Sequence, residues 1–319
     1  MEKFSRGEML AEAKLSRHKP HPLVQILIFI LVLFAVQMAV GIVVGIPMVV
    51  WMLRDGSVMA AFASGSFSAA MQAYENGPDW LTLLSLYVTA LEIIFPIVYC
   101  RSIEGRSLRS MGFSRRGGFV SYVKGFALGA LMLCAAAGIA SLLGGMRFTV
   151  QAPQYALIAL YLGGYLIQGA GEEVLIRGYF MVSLTNRISV AAAAAVSSVM
   201  FSLMHILNPG FTVLAFINIA LFGALMGLFI LRSDNIWGAC ALHSAWNFFQ
   251  GNVVGVNVSG TAAQPSIFAV TTAGGSTIIN GGGFGLEGGL ATTAVLLAAL
   301  ALVLFLPGKA ASSPDAVQA

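Results

Sequence analysis

Charge is scarce in this sequence. Asp, Glu, Lys and Arg make up 9% of its 319 residues, while hydrophobic types make up 58%. A soluble domain carries about a quarter charged residues, so the composition excludes a soluble enzyme, a disordered tail and a fibrous chain. It points to a membrane protein. Cysteine is nearly missing. The three present, Cys100, Cys134 and Cys240, lie in apolar runs. An odd number in such places argues against a disulfide framework and a thiolate metal site. A basic face is lacking too. The net charge is +4, but lysine and arginine gather between apolar runs, so nucleic acid is not an expected partner. No inverted repeat of the transporter kind is visible. The first apolar run, 23–53, far exceeds the roughly 7–15 residues of a signal-peptide h-region, so no cleavable signal is expected.

What is present is a series of apolar runs. A helix crosses the hydrocarbon core in about 20 residues. Eight runs serve: 23–53, 80–100, 125–144, 155–184, 189–207, 211–231, 236–254 and 290–306. They are too long and too uniformly apolar for a membrane β-barrel. The expected fold class is all-α integral membrane, a bundle of about eight transmembrane helices. Pro47 predicts a tilt or kink in the first. Stretches 54–78 and 255–289 are expected as loops, the second rich in Gly, Ser and Thr. The expected organisation is a segment 1–22, a polytopic membrane domain 23–307 and a tail 308–319. Segments on the N-terminal side of this layout hold 14 of the 17 Lys/Arg; Arg54 and Arg147 lie on the other side and Arg177 within a run. By the positive-inside rule this implies a multi-pass cell-membrane protein with both termini cytoplasmic. The basic segment 101–124 is expected to touch anionic head groups of the bilayer.

Ionisable residues inside such runs are costly and usually face a cavity or one another. Here they are Glu92, Glu172, Glu173, Arg177, His205 and His243. Glu173 and Arg177 stand four apart and pair along one helix face. Glu172 lies about 100° round the same helix and is left unmatched, which suits a general base. His243 and Asn247 also stand four apart, so both can donate to one point, as an oxyanion hole requires. The same two residues would serve equally as an interhelical clamp. His205, four after Phe201, is a weak signal alone, more often a packing residue. Glu92, beside Pro96, either faces the same cavity or bonds a kinked backbone. The Gly-rich IINGGGFGLEGG is a lid or simply a loop.

Three texts, EEVLIR, FSLMH and HSAWN, occur in that order on separate runs. Together they resemble the motifs of the CPBP family, the type II CAAX prenyl endopeptidase-like intramembrane proteases, also called the Abi family. Those motifs read Glu-Glu-x-x-x-Arg, Phe-x-x-x-His and His-x-x-x-Asn, and all are intact. The strict resemblance covers 165–249, within a core of about 155–256. It implies an intramembrane endopeptidase that hydrolyses a peptide bond of a membrane-associated peptide or protein, prenylated or a propeptide, near the cytoplasmic face. Glu172 would act with His205 on a water, His243 and Asn247 would hold the oxyanion, and Glu173 and Arg177 would brace the site. The family also carries the label metalloprotease. A divalent metal such as zinc would draw on Glu172, His205 and His243, whereas a Glu–His dyad would deprotonate water directly; both schemes stay open. Two other readings compete: a proton-coupled transporter, and a non-catalytic immunity or scaffold member of the same family.

Overall fold

The structure, a computed structural model, describes residues 7–65, 77–262, 265–271 and 277–305. The expected tail 308–319 and the start of the segment 1–22 lie outside the described residues. Helix α1 (Glu8–Ala13) belongs to that segment and is not free in solvent. It buries Met9, Leu10 and Ala13. The Asp234 carboxylate accepts from the backbone N–H of Glu8 and Met9, each at 2.9 Å, satisfying donors that a helix start leaves open.

Helix α2 (Pro22–Arg54) is 33 residues long and includes Pro47. At 1.5 Å per residue it is about 50 Å long, well beyond the hydrocarbon thickness of about 30 Å. Few of its residues are buried, so its apolar surface meets lipid rather than protein. Part of the expected loop 54–78 is helical instead, as α3 (Gly56–Ala63); Asp55 Oδ1 accepts from the N–H of Ser57 and Val58 and starts it. Helix α4 (Asp79–Val88) breaks at Thr89–Ala90 and resumes as α5 (Leu91–Tyr99), which ends in a π-helical turn, Cys100–Glu104. Helix α6 (Gly118–Leu142) starts before the expected residue 125, so the basic segment is partly helical.

Helix α7 (Tyr155–Glu173) continues through a π-helical stretch, Val174–Met181, to Leu184. Next come α8 (Val190–Leu203), α9 (Val213–Ser233), α10 (Trp237–Phe248) with a π-helical continuation Phe249–Val254, α11 (Thr277–Asn280) and α12 (Leu290–Phe305). Two short strands depart from the all-α expectation. β1 (Arg147–Val150) pairs antiparallel with β2 (Phe268–Thr271), with Arg147 opposite Thr271.

Each of the eight expected runs is helical, while the count of eight crossings is not confirmed. Among the described residues, four helices are long and apolar enough to cross: Pro22–Arg54, Asp79–Glu104, Gly118–Leu142 and Val213–Ser233. Helices α8 and α12 are apolar but have 14 and 16 residues, about 21 and 24 Å of rise. The chain is a multi-pass, all-α membrane protein whose α10 lies inside it. Residues Gly238 to Phe248 of α10 are all buried.

Helix α10 packs chiefly on α6 and α7, and glycine makes the approach possible. A Cβ at Gly125 would lie 2.0 Å from the Gly238 carbonyl oxygen, and one at Gly129 2.2 Å from that of Leu242. Gly138, on the same α6, has nothing within 4 Å. Gly129→Ala should therefore lower the thermal unfolding temperature in detergent, at a cost of about 1–3 kcal/mol for overpacking. Gly138→Ala should leave it unchanged or raise it. Equal behaviour of the two variants would refute the close contact.

Candidate active site

The pair Glu172 and Glu173 ends the regular part of α7, preceded by Gly169 and Gly171. A Cβ at Gly169 would meet the Ser244 backbone nitrogen and Oγ at 2.6 Å, and one at Gly171 would meet the Thr89 carbonyl at 2.9 Å. The text GAGEE thus lets α7 press against α10 on one side and the α4–α5 break on the other. The two carboxylates then part. Glu173 is wholly buried, while the Glu172 side chain keeps 15% exposure and lines a cavity of about 200 Å³.

Behind the cavity, Glu173 Oε1 accepts from Arg177 Nη1 at 2.9 Å, the expected pair. It also bonds His243 Nδ1 at 2.9 Å. A carboxylate only accepts, so Nδ1 carries the proton and Nε2 is the nitrogen turned to Glu172, 3.6 Å from its Oε2. The guanidinium carbon of Arg177 sits 4.4 Å from the centre of the Phe201 ring, a cation–π contact. That ring also meets His205 and His243 edge-on, with centroids 5.0 and 5.8 Å away. Phe201 is therefore a wedge between the two imidazoles.

His205 is not inside a helix. Helix α8 ends at Leu203, and the chain tightens into i→i+3 bonds, His205 N–H to Ser202 and Ile206 N–H to Leu203. The ring Nδ1 lies 2.9 Å from the Phe201 carbonyl oxygen, one of the acceptors a helix end leaves open. Nε2 remains for the cavity.

Glu172 is less solitary than its helical position suggests. Gln168 Nε2 donates to Glu172 Oε1, and Asn247 Nδ2 donates to Gln168 Oε1 at 2.9 Å. Gln168 was not among the expected site residues, although a glutamine four residues before Glu172 in an apolar run was the signal. Its bridge engages the Asn247 nitrogen, so His243 and Asn247 do not point both donors at one vacant spot. No hydrogen bond or ion pair joins His205 to Glu172 among the described residues, yet both line the cavity with His243 and Asn247. Glu92 does not line it. It lies across Gly171, where its Oε1 accepts from Gln37 Nε2 at 3.4 Å.

A catalytic zinc asks for about three protein ligands and an open position. Among the described residues no three His, Cys, Asp or Glu side chains converge closely enough to hold an ion. Glu172 and His243 approach one another, but His205 does not complete the set, so the three-ligand zinc scheme does not fit this arrangement.

The cavity mouth is also unexpected. Its walls include Thr82 and Ser85 of α4, Asn218 of α9, and Val258, Ser259, Thr261 and Glu287 of the loop 255–289. Four of these wall residues belong to that loop, and none of the lining residues belongs to α1. The loop is tied down: Glu287 Oε2 accepts from Ser259 N–H at 2.7 Å, Ser259 Oγ at 2.8 Å and Gln250 Nε2 at 3.3 Å.

Comparison with known families adds an independent line. Residues 153–249 match the family model described as type II CAAX prenyl endopeptidase Rce1-like. No curated protein and no solved structure matches the chain. The match runs from α7 to α10, the part of the chain that holds Glu172, Glu173, Arg177, His205, His243 and Asn247, and so takes in all three motifs. Residues 153–249 thus belong to the CPBP family, the type II CAAX prenyl endopeptidase-like proteins.

Proposed function

We propose that the chain is an intramembrane endopeptidase that hydrolyses a peptide bond of a membrane-associated substrate, with Glu172 as general base. The observation that carries this reading is the cavity itself. It gathers a carboxylate, two imidazoles and a carboxamide from α7, α10 and the turn after α8, with the buried Glu173–Arg177 pair behind them.

The roles follow from the bonds each group already makes. Glu172 has one oxygen held by Gln168 and a second, Oε2, with no hydrogen-bond partner. Oε2 takes the proton from water as the water oxygen bonds to the substrate carbonyl carbon and the carbonyl electrons move to oxygen. His205, fixed through Nδ1, offers Nε2 to hold that water, and Glu172 returns the proton to the leaving nitrogen when the C–N bond breaks and the carbonyl re-forms. His243, fixed by Glu173, stabilises the oxyanion when Nε2 carries a proton. Asn247 joins it by exchanging its Gln168 partner for the oxyanion. Arg177 braces Glu173 through their ion pair and does not touch substrate.

A family member that kept its motifs only for structure behaves differently. On the enzyme reading, Glu172→Gln keeps its unfolding temperature in detergent and loses cleavage of membrane-anchored peptides by about 100- to 10,000-fold, the usual worth of a general base. Mass spectrometry of the products reads this. Full cleavage by the variant would eliminate Glu172 as the base, and loss of folding without a turnover defect would favour the scaffold reading. Arg177 is tested by stability. Arg177→Leu strands a buried carboxylate and should cost about 3–5 kcal/mol. The double change Glu173→Leu with Arg177→Leu should recover part of it. A double variant as unstable as the sum of its singles would refute the pairing.

A further inference from the structure

The cavity is lined by acceptors without a matching cation. Among the described residues, Glu172 and Glu287 are the two carboxylates that line it, and no lysine or arginine does. The one buried cation nearby, Arg177, is committed to Glu173. Glu287 is held by three neutral donors, all on Oε2. They orient the carboxylate and leave its charge uncompensated.

Asn247 points the same way independently. It is 3% exposed, lines the cavity, and its Oδ1 is buried with no partner. The amide orientation is not arbitrary. A carboxylate accepts, so Gln168 must turn its nitrogen to Glu172 and its oxygen to Asn247, and Asn247 must answer with nitrogen. Its oxygen is what remains. A buried acceptor without a donor is costly unless a ligand supplies one.

We infer that the cavity selects peptides carrying a basic side chain, with Glu287 as the specificity-determining anion at its mouth and Asn247 Oδ1 as a second acceptor for substrate N–H groups. A lysine or arginine that reaches Glu287 gains a charge-assisted hydrogen bond in a half-buried setting. An acidic side chain or a free carboxylate there meets like charge. The inference rests on the peptidase reading for the word substrate, but its test does not need turnover.

Three N-acetylated, C-terminally amidated and lipid-anchored peptides, identical except for one lysine, norleucine or glutamate, are titrated against the detergent-solubilised full chain by fluorescence anisotropy. The lysine peptide should bind about tenfold more tightly than the norleucine peptide, the scale of one hydrogen bond to a charged group, and the glutamate peptide more weakly than either. Glu287→Gln keeps an acceptor for Ser259 and should erase the lysine preference. Thr261→Lys, at an exposed position on the cavity wall, should reverse the order of lysine and glutamate. Equal binding of the three peptides by the parent, or an unchanged order in both variants, overturns the inference. The same samples are assayed for cleavage. A lysine preference without cleavage of any peptide keeps the basic-group site and removes the peptidase reading. Cleavage without a charge preference does the reverse.

Discussion

A guanidinium with no exposure to water organises the middle of this protein. Arg177 is buried in a chain with almost no charge, and such a group is tolerated only when paired. Its partner, Glu173, spends the same oxygen on His243. The imidazole is therefore held at Nδ1 and presents Nε2 to the cavity. Phe201 lies under the guanidinium and between the two histidines, so one buried charge sets the position of a carboxylate, an imidazole and an aromatic wedge. The glycines at 125, 129, 169 and 171 serve this arrangement by bringing backbones close enough for short bonds to reach across helices.

The motifs were legible because polar residues in apolar text are conspicuous. Glu173 with Arg177 could be read from spacing alone, and the order of the three motifs named the family to which 153–249 belongs. The helical positions of the eight runs were legible for the same reason. What each run packs against was not. Hydropathy reports apolarity and does not separate a side chain facing lipid from one facing protein, so α10 reads like α2 although it lies inside the bundle.

Other features rest on contacts that no local pattern encodes. The bridge through Gln168 joins α7 to α10 across most of 80 positions of sequence. Glu287 reaches Ser259 over a Gly-rich stretch that looks featureless. Helix α1 reads as a short polar leader, yet Asp234 draws it against the bundle. In each case the decisive partner is distant in the chain, so composition within a window of ten or twenty residues carries no trace of it.

The cavity walls also carry a consequence for access. The polar wall runs from Glu172 toward the loops around Ser259 and Glu287, while the opposite end of the bundle is filled by α1 and by apolar packing around Met9 and Met111. A ligand that approaches past Ser259 and Glu287 meets hydrogen-bonding groups on its way, whereas one approaching past α1 would have to displace packed apolar side chains.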